Sequence, residues 1–217
     1  MDEKTLLDIK NQHVNNYKKA LIETIQNNTN ALVNDDLIPL FSKPPLDSMD
    51  IVKNKMISFA KKYKFVLDAS KLDNMLDSYR KNIVICCEKL KKMRIDYFSD
   101  IVDKFKDDDV IVFYKKDFNS LNKKIKKSLK EQVILSIDNK LLKDINKIIS
   151  TNADNTNVDS FIEEITKFLK KQYLKQVMDS FDIKFLVKDT TLMNSVKEQG
   201  DRYLFTLKNS RLLNDFD

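Results

Sequence analysis

The chain has 217 residues, 42% hydrophobic and 33% charged, with a net charge of +6, one glycine and three prolines. A folded chain of this length hides roughly 70% of the surface it exposes when unfolded, so the apolar content suffices for a core and disorder of the whole is excluded. A single glycine excludes P-loop and Rossmann nucleotide sites, which need several.

Residues 5 to 33 read as the first helix. Leu7, Val14, Tyr17, Leu21, Ile25 and Leu32 keep steps near three and four, which set them on one face. Asn34-Asp35-Asp36 is expected to end it. A proline-containing connector at 37–47 follows, with Pro39, Pro44 and Pro45 pushing the residues before them out of the helical region. Asp47 or Ser48 caps the next helix, which runs through Ile51, Val52, Met56, Phe59, Ala60 and Tyr63 and stops near Asp68. Ser70 with Asp73 restarts it as a variant capping box.

The cleanest periodicity follows. Leu72, Leu76, Tyr79, Ile83, Cys86, Leu90, Met93 and Tyr97 alternate steps of four and three over four heptads, a seam that predicts coiled-coil-like packing. A helix over 70–105 is about 54 Å long. That exceeds the roughly 44 Å diameter of a compact chain of this size, so the expected shape is elongated unless the helix kinks. Asp107-Asp108-Asp109 stops it. Val110 to Tyr114 and Ile183 to Val187 are the two stretches with β character, and a short two-stranded ribbon between them is the alternative to an all-helical chain. Two strands alone are marginal, which favours a buried turn at the first and continuing helix at the second.

A third long helix is predicted over 117–149, with Phe118, Leu121, Ile125, Leu129, Val133, Ile137, Leu141, Ile145 and Ile148 inward. The Asn-rich stretch 150–157 reads as an exposed loop. A helix capped by Thr156 or Asn157 runs to Phe181, and Asp189-Thr190-Thr191 caps a last one through Leu213. The expected architecture is all-α: one domain over 1–217, an elongated bundle of about five or six helices, three of them long.

Chemistry is sparse. His13 is the sole histidine and no Gly-x-Ser-x-Gly exists, so nucleophilic catalysis lacks its parts. Cys86 and Cys87 are adjacent and form neither a disulfide framework nor, with one histidine, a zinc site. Glu163 and Glu164 have no histidine near for a di-iron site, and the 107–109 triplet reads as a solvated break. No catalytic residue, cofactor or metal is expected. No leader and no transmembrane run stand out, and the default compartment is a reducing cytoplasm.

The one functional candidate is the basic stretch from Lys115 to Lys130, with seven lysines and one acid, Asp117. Lys116, Lys123, Lys127 and Lys130 fall within an arc of about 60° on a helix, opposite Phe118, Leu121, Ile125 and Leu129. They are the candidate contacts for phosphates of a nucleic acid or for another anion. A solvated face stands ahead of that reading, because the chain has only four arginines (Arg80, Arg94, Arg202 and Arg211) among 39 basic residues, a bias that an AT-rich genome produces. So few arginines also argue against base-specific reading. The functional expectation is a non-enzymatic cytoplasmic interaction or scaffold protein, acting on a protein partner or by self-association. The alternative is a nonspecific nucleic-acid-binding protein using 115–130.

Overall fold

The structure, a computed structural model, describes residues 2–39, 46–64, 67, 69–106, 109–136 and 155–214. The protein is all-α. Its helices are α1 (Glu3–Ala31), continued by a π-helical turn (Leu32–Leu37), then α2 (Leu46–Lys62), α3 (Ala69–Asp103), α4 (Lys115–Ser136) and α5 (Asn155–Asn214). Among the described residues no strand forms: 110–114 is irregular, and 183–187 lies inside α5. The predicted positions Phe41 to Pro45, Asp107, Asp108 and 137–154 lie outside the described residues.

Helix ends explain themselves locally. Asp2 caps α1: its carboxylate accepts from the Thr5 amide at 2.7 Å and the Thr5 hydroxyl at 2.6 Å, and those bonds hold its pKa below the ordinary value. Asn34-Asp35-Asp36 does not end the helix as the sequence suggested. The wider i→i+5 turn carries the chain through these residues. It keeps Leu32, Val33 and Leu37 buried while Asn34 and Asp35 stay exposed. After α2 the backbone reverses at Lys64, whose φ of 60° is left-handed. A glycine usually takes such a position at little cost, but this chain's only glycine is elsewhere. The Asp73 carboxylate pairs with Lys53 of α2 at 2.8 Å.

The chain divides into two compact units. The first comprises residues 1–32, 91–123 and 184–217. It is a four-helix bundle of α1, the last part of α3, the start of α4 and the second half of α5. Helix α1 runs antiparallel to α5, since His13 meets Ser210, Tyr17 stacks on Tyr203 with ring centres 4.3 Å apart, and Asn28 meets Lys188. It also runs antiparallel to α3, with Tyr17 on Phe105 and Asn28 on Arg94. Phe98, Phe113 and Phe118 form an aromatic cluster that fastens residues 109–114 to α3 and α4. Each is almost wholly buried, worth about 1.5–3 kcal/mol apiece. Ile111 and Phe113 point in while Val112 and Tyr114 point out, so the β-like run is an extended, anchored connection.

The second unit comprises residues 33–90 and 124–183. Here α2 lies antiparallel to α5, through Phe59 on Phe168, Tyr63 on Phe161, and a 2.6 Å ion pair from Lys62 to Glu164. Helix α4 meets α5 where Lys126 pairs with Asp182 at 2.9 Å and lies over the Phe181 ring. Among the described residues its buried apolar side chains are Val33, Leu37, Met56, Ala60, Cys86, Cys87, Leu90, Ile125, Leu129, Phe161, Ile165 and Phe181.

One expectation about the helices is corrected. The helix of 155–214 is unbroken at Asp189, whose side chain faces the core instead of capping a new helix. The Thr190 and Thr191 hydroxyls donate to the carbonyls of Leu186 and Val187, one turn back in the same helix. On α3 Cys86 and Leu90 of the predicted seam are buried and Met93 and Tyr97 are half-buried, while the deeply buried track runs on from Leu90 through Arg94, Phe98 and Val102. Leu72, Leu76, Tyr79 and Ile83 lie outside the described side chains. Buried positions on α5 from Phe181 onward (185, 189, 192, 196, 200, 203 and 207) step four, four, three, four, four, three, four. That is an eleven-residue spacing near 3.67 per turn, close to a straight helix and unlike the 3.5 of a heptad seam.

Candidate functional site

The predicted lysines stand where their helical spacing put them. Lys116, Lys123, Lys127 and Lys130 are exposed on α4, and Phe118, Leu121, Ile125 and Leu129 are buried. Among the described residues, Lys127 has an acid at 4.0 Å, Glu131 one turn on. Lys126, outside the predicted four, is the lysine held by Asp182. Helical spacing predicts no aromatic on this face. The structure places the exposed ring of Tyr114 beside Lys116, with the Nζ 5.5 Å from the ring centre. Tyr114 is one residue before the helix, in the segment whose in–out alternation carries the signal.

A second surface was missed. Ile183, Leu186 and Val187 are 66%, 67% and 58% exposed on α5, opposite its buried stripe. Large aliphatic side chains three and four apart on a solvent face are unusual, because such positions otherwise carry charge. Thr190 and Thr191 extend the face by one turn. Their hydroxyls are already engaged with the helix's own carbonyls, which leaves the methyl groups to define the surface. The sequence signal was present in the stripe Phe181, Phe185, Leu192 and Val196, which leaves 183, 186, 187 and 190 facing away.

Ser210, Cys87 and Glu164 are each engaged or buried. His13 Nε2 lies 3.4 Å from Ser210 Oγ, but that hydroxyl donates to the Thr206 carbonyl at 2.9 Å, so its proton is not directed at the imidazole. Cys86 and Cys87 are buried, and burial pushes the Cys87 thiol up to about 12, which keeps it protonated and unreactive at neutral pH. Glu164 is engaged by Lys62, whose ammonium holds its carboxyl below the ordinary range. Among the described residues no group of three or more His, Cys, Asp or Glu is placed to hold a metal, and no helix is long and apolar enough to cross a membrane.

The buried polar groups are the other concentration of chemistry. Arg94 is 1% exposed, and its Nη1 donates to Asp189 Oδ1 at 2.7 Å. Burial lowers the guanidinium pKa and Asp189 opposes that shift. No family model, curated protein or solved structure matches the chain.

Proposed function

We propose that the protein acts without catalysis, as a helical interaction protein, and that its contact surface is the outer face of α5. The observation that carries this reading is the run of exposed Leu186 and Val187, with Ile183 one turn before and the outward methyls of Thr190 and Thr191 one turn after. The partner is a second copy of the chain. In an antiparallel pair of α5 helices with a two-fold axis near residues 188 and 189, Leu186 and Val187 of one copy lie over Thr190 and Thr191 of the other. The face is thus complementary to itself, as an isologous contact requires. The buried thiols suit a reducing cytoplasm.

Light scattering over a dilution series tests this. The wild type should show a mass rising from one chain toward two, and Leu186→Gln with Val187→Gln should hold it at one without lowering the melting temperature. A wild-type mass of one chain at every concentration would contradict the reading.

The exposed lysines of α4 favour a second reading, nonspecific contact with nucleic acid. Lys116, Lys123 and Lys130 have no acid within 4.0 Å among the described residues, so their charge is open to phosphates.

A further inference from the structure

Each helix of the first unit's bundle contributes one polar side chain to a single layer, in which Arg94 of α3 and Asp189 of α5 are buried and Asn28 of α1 and Asn122 of α4 are half-buried. Arg94 Nη1 donates to Asp189 Oδ1 at 2.7 Å and Nη2 donates to Asn28 Oδ1 at 3.0 Å. Asn122 Nδ2 donates to Asp189 Oδ2 at 2.6 Å, and Asn28 Nδ2 donates to the Lys188 carbonyl at 3.0 Å. The Arg94 guanidinium also lies over the rings of Phe98 and Phe118. Apolar residues flank the layer on the same helices. Ile25 and Leu32 bracket it on α1, Phe98 and Val102 follow it on α3, and Phe185 and Leu192 bracket it on α5, all buried.

The layer is not complete. Arg94 Nε and Asn122 Oδ1 have no hydrogen-bond partner among the described protein groups. A buried ion pair with unmet donors and acceptors is a poor source of stability, and well-packed apolar residues in its place are often as good or better. Its value lies in what it forbids. The buried stripes of these helices repeat at nearly one turn, so an apolar bundle of this pattern tolerates a helix sliding by a turn. With the layer in place, a one-turn slip of α5 sets Phe185 or Leu192 against Arg94 and buries the guanidinium and Asp189 apart.

We propose that the Asn28–Arg94–Asn122–Asp189 layer is a register lock, which fixes the axial alignment of the four helices at some expense of stability. The account parallels the single polar position that fixes alignment in coiled coils.

The test reads register by disulfide trapping in the full chain. Thr24 and Gln199 touch across α1 and α5, so Thr24→Cys with Gln199→Cys reports the native alignment. Thr24→Cys with Ser195→Cys, or with Arg202→Cys, reports a one-turn slip in either direction. Cys86 and Cys87 are buried and do not compete. With the layer intact, only the native pair should cross-link. In Arg94→Met/Asp189→Leu the melting temperature should equal or exceed the wild-type value, and at least one slipped pair should cross-link alongside the native one. A second apolar combination, Arg94→Leu/Asp189→Met, guards against one badly shaped replacement. Native-only cross-linking in both apolar variants would overturn the proposal. So would unfolding of both, which would make the layer a source of stability.

Discussion

Gly200 of α5 lies against Val110 of the 104–114 connection so closely that a Cβ added to it would stand 3.3 Å from Val110 Cβ and 3.4 Å from the Tyr17 hydroxyl. The chain's single glycine therefore serves close approach, not a turn. The hydroxyl of Tyr17 accepts the Ile111 amide at 3.1 Å, so helix α1, helix α5 and the connection meet at this one point. Gly200→Leu should destabilise the protein by about 1–3 kcal/mol through overpacking. Gly200→Ala should stay within about 1 kcal/mol of wild type, because better helix propensity offsets the tight contact. Urea unfolding of the two variants checks both values.

Arg94 alone cannot be spared. Arg94→Met leaves Asp189 buried without its cation and should cost about 3–5 kcal/mol. Arg94→Lys keeps the charge but lacks the fork that reaches Asp189 and Asn28 together, so it should lose about 1–3 kcal/mol. Thermal unfolding followed by circular dichroism would reveal the order. Equal stability of Arg94→Lys and wild type would show that the fork is idle.

Alkaline pH should weaken the fold through Cys87. Its folded thiol titrates at about 12, pushed up by burial, while the unfolded thiol ionises near 9. A raised folded pKa gives stability that is present below pH 9 and lost as pH rises from there toward 12, at up to about 1.4 kcal/mol per pH unit. Tyr17, also raised by burial, adds to the loss at the top of that range. Cys87→Ala should flatten the decline in urea midpoint between pH 8 and 10.5, and an unchanged decline would remove Cys87 as its source. By the same burial, neither native thiol should react with a thiol reagent at pH 8 until the protein unfolds.

The lysine face makes a salt-dependence prediction. If Lys116, Lys123, Lys127 and Lys130 contact phosphates, replacing all four by Gln should flatten the log–log salt slope of DNA binding by roughly 0.7 to 0.9 per lysine. Fluorescence anisotropy with a duplex and a single strand would read it. Equal slopes for wild type and variant would dispose of the ridge, and no wild-type binding at low salt would dispose of the nucleic-acid reading.

What the sequence disclosed depended on how local the cause was. Glycine and proline poverty and periodic apolar residues foretold the helices, because helical faces are set within a few turns. The α4 lysines were legible for the same reason. The buried Arg94 was not, since a charge at position 94 looks like solvent face until Asp189, 95 residues on, is seen beside it. Asp189-Thr190-Thr191 carries the composition of a helix cap, and only the tertiary partner Arg94 turns it into helix interior. The outer face of α5 was obscured likewise: Ile183 to Val187 is apolar throughout, and inward cannot be told from outward until the stripe through Phe185 and Leu192 is fixed.

If two copies of the chain meet through α5, a distance between copies reads that contact. A spin label on Lys197→Cys, an exposed position in the second half of α5, gives one label per chain, so any dipolar signal arises between copies. With a two-fold axis near residues 188 and 189, a rise of 1.5 Å per residue and helix axes 8–10 Å apart, the expected separation is about 30 Å. Wild type should show a defined distance near that value, lost in Leu186→Gln/Val187→Gln. A featureless decay at the highest attainable concentration, or the same distance in the variant, would contradict it.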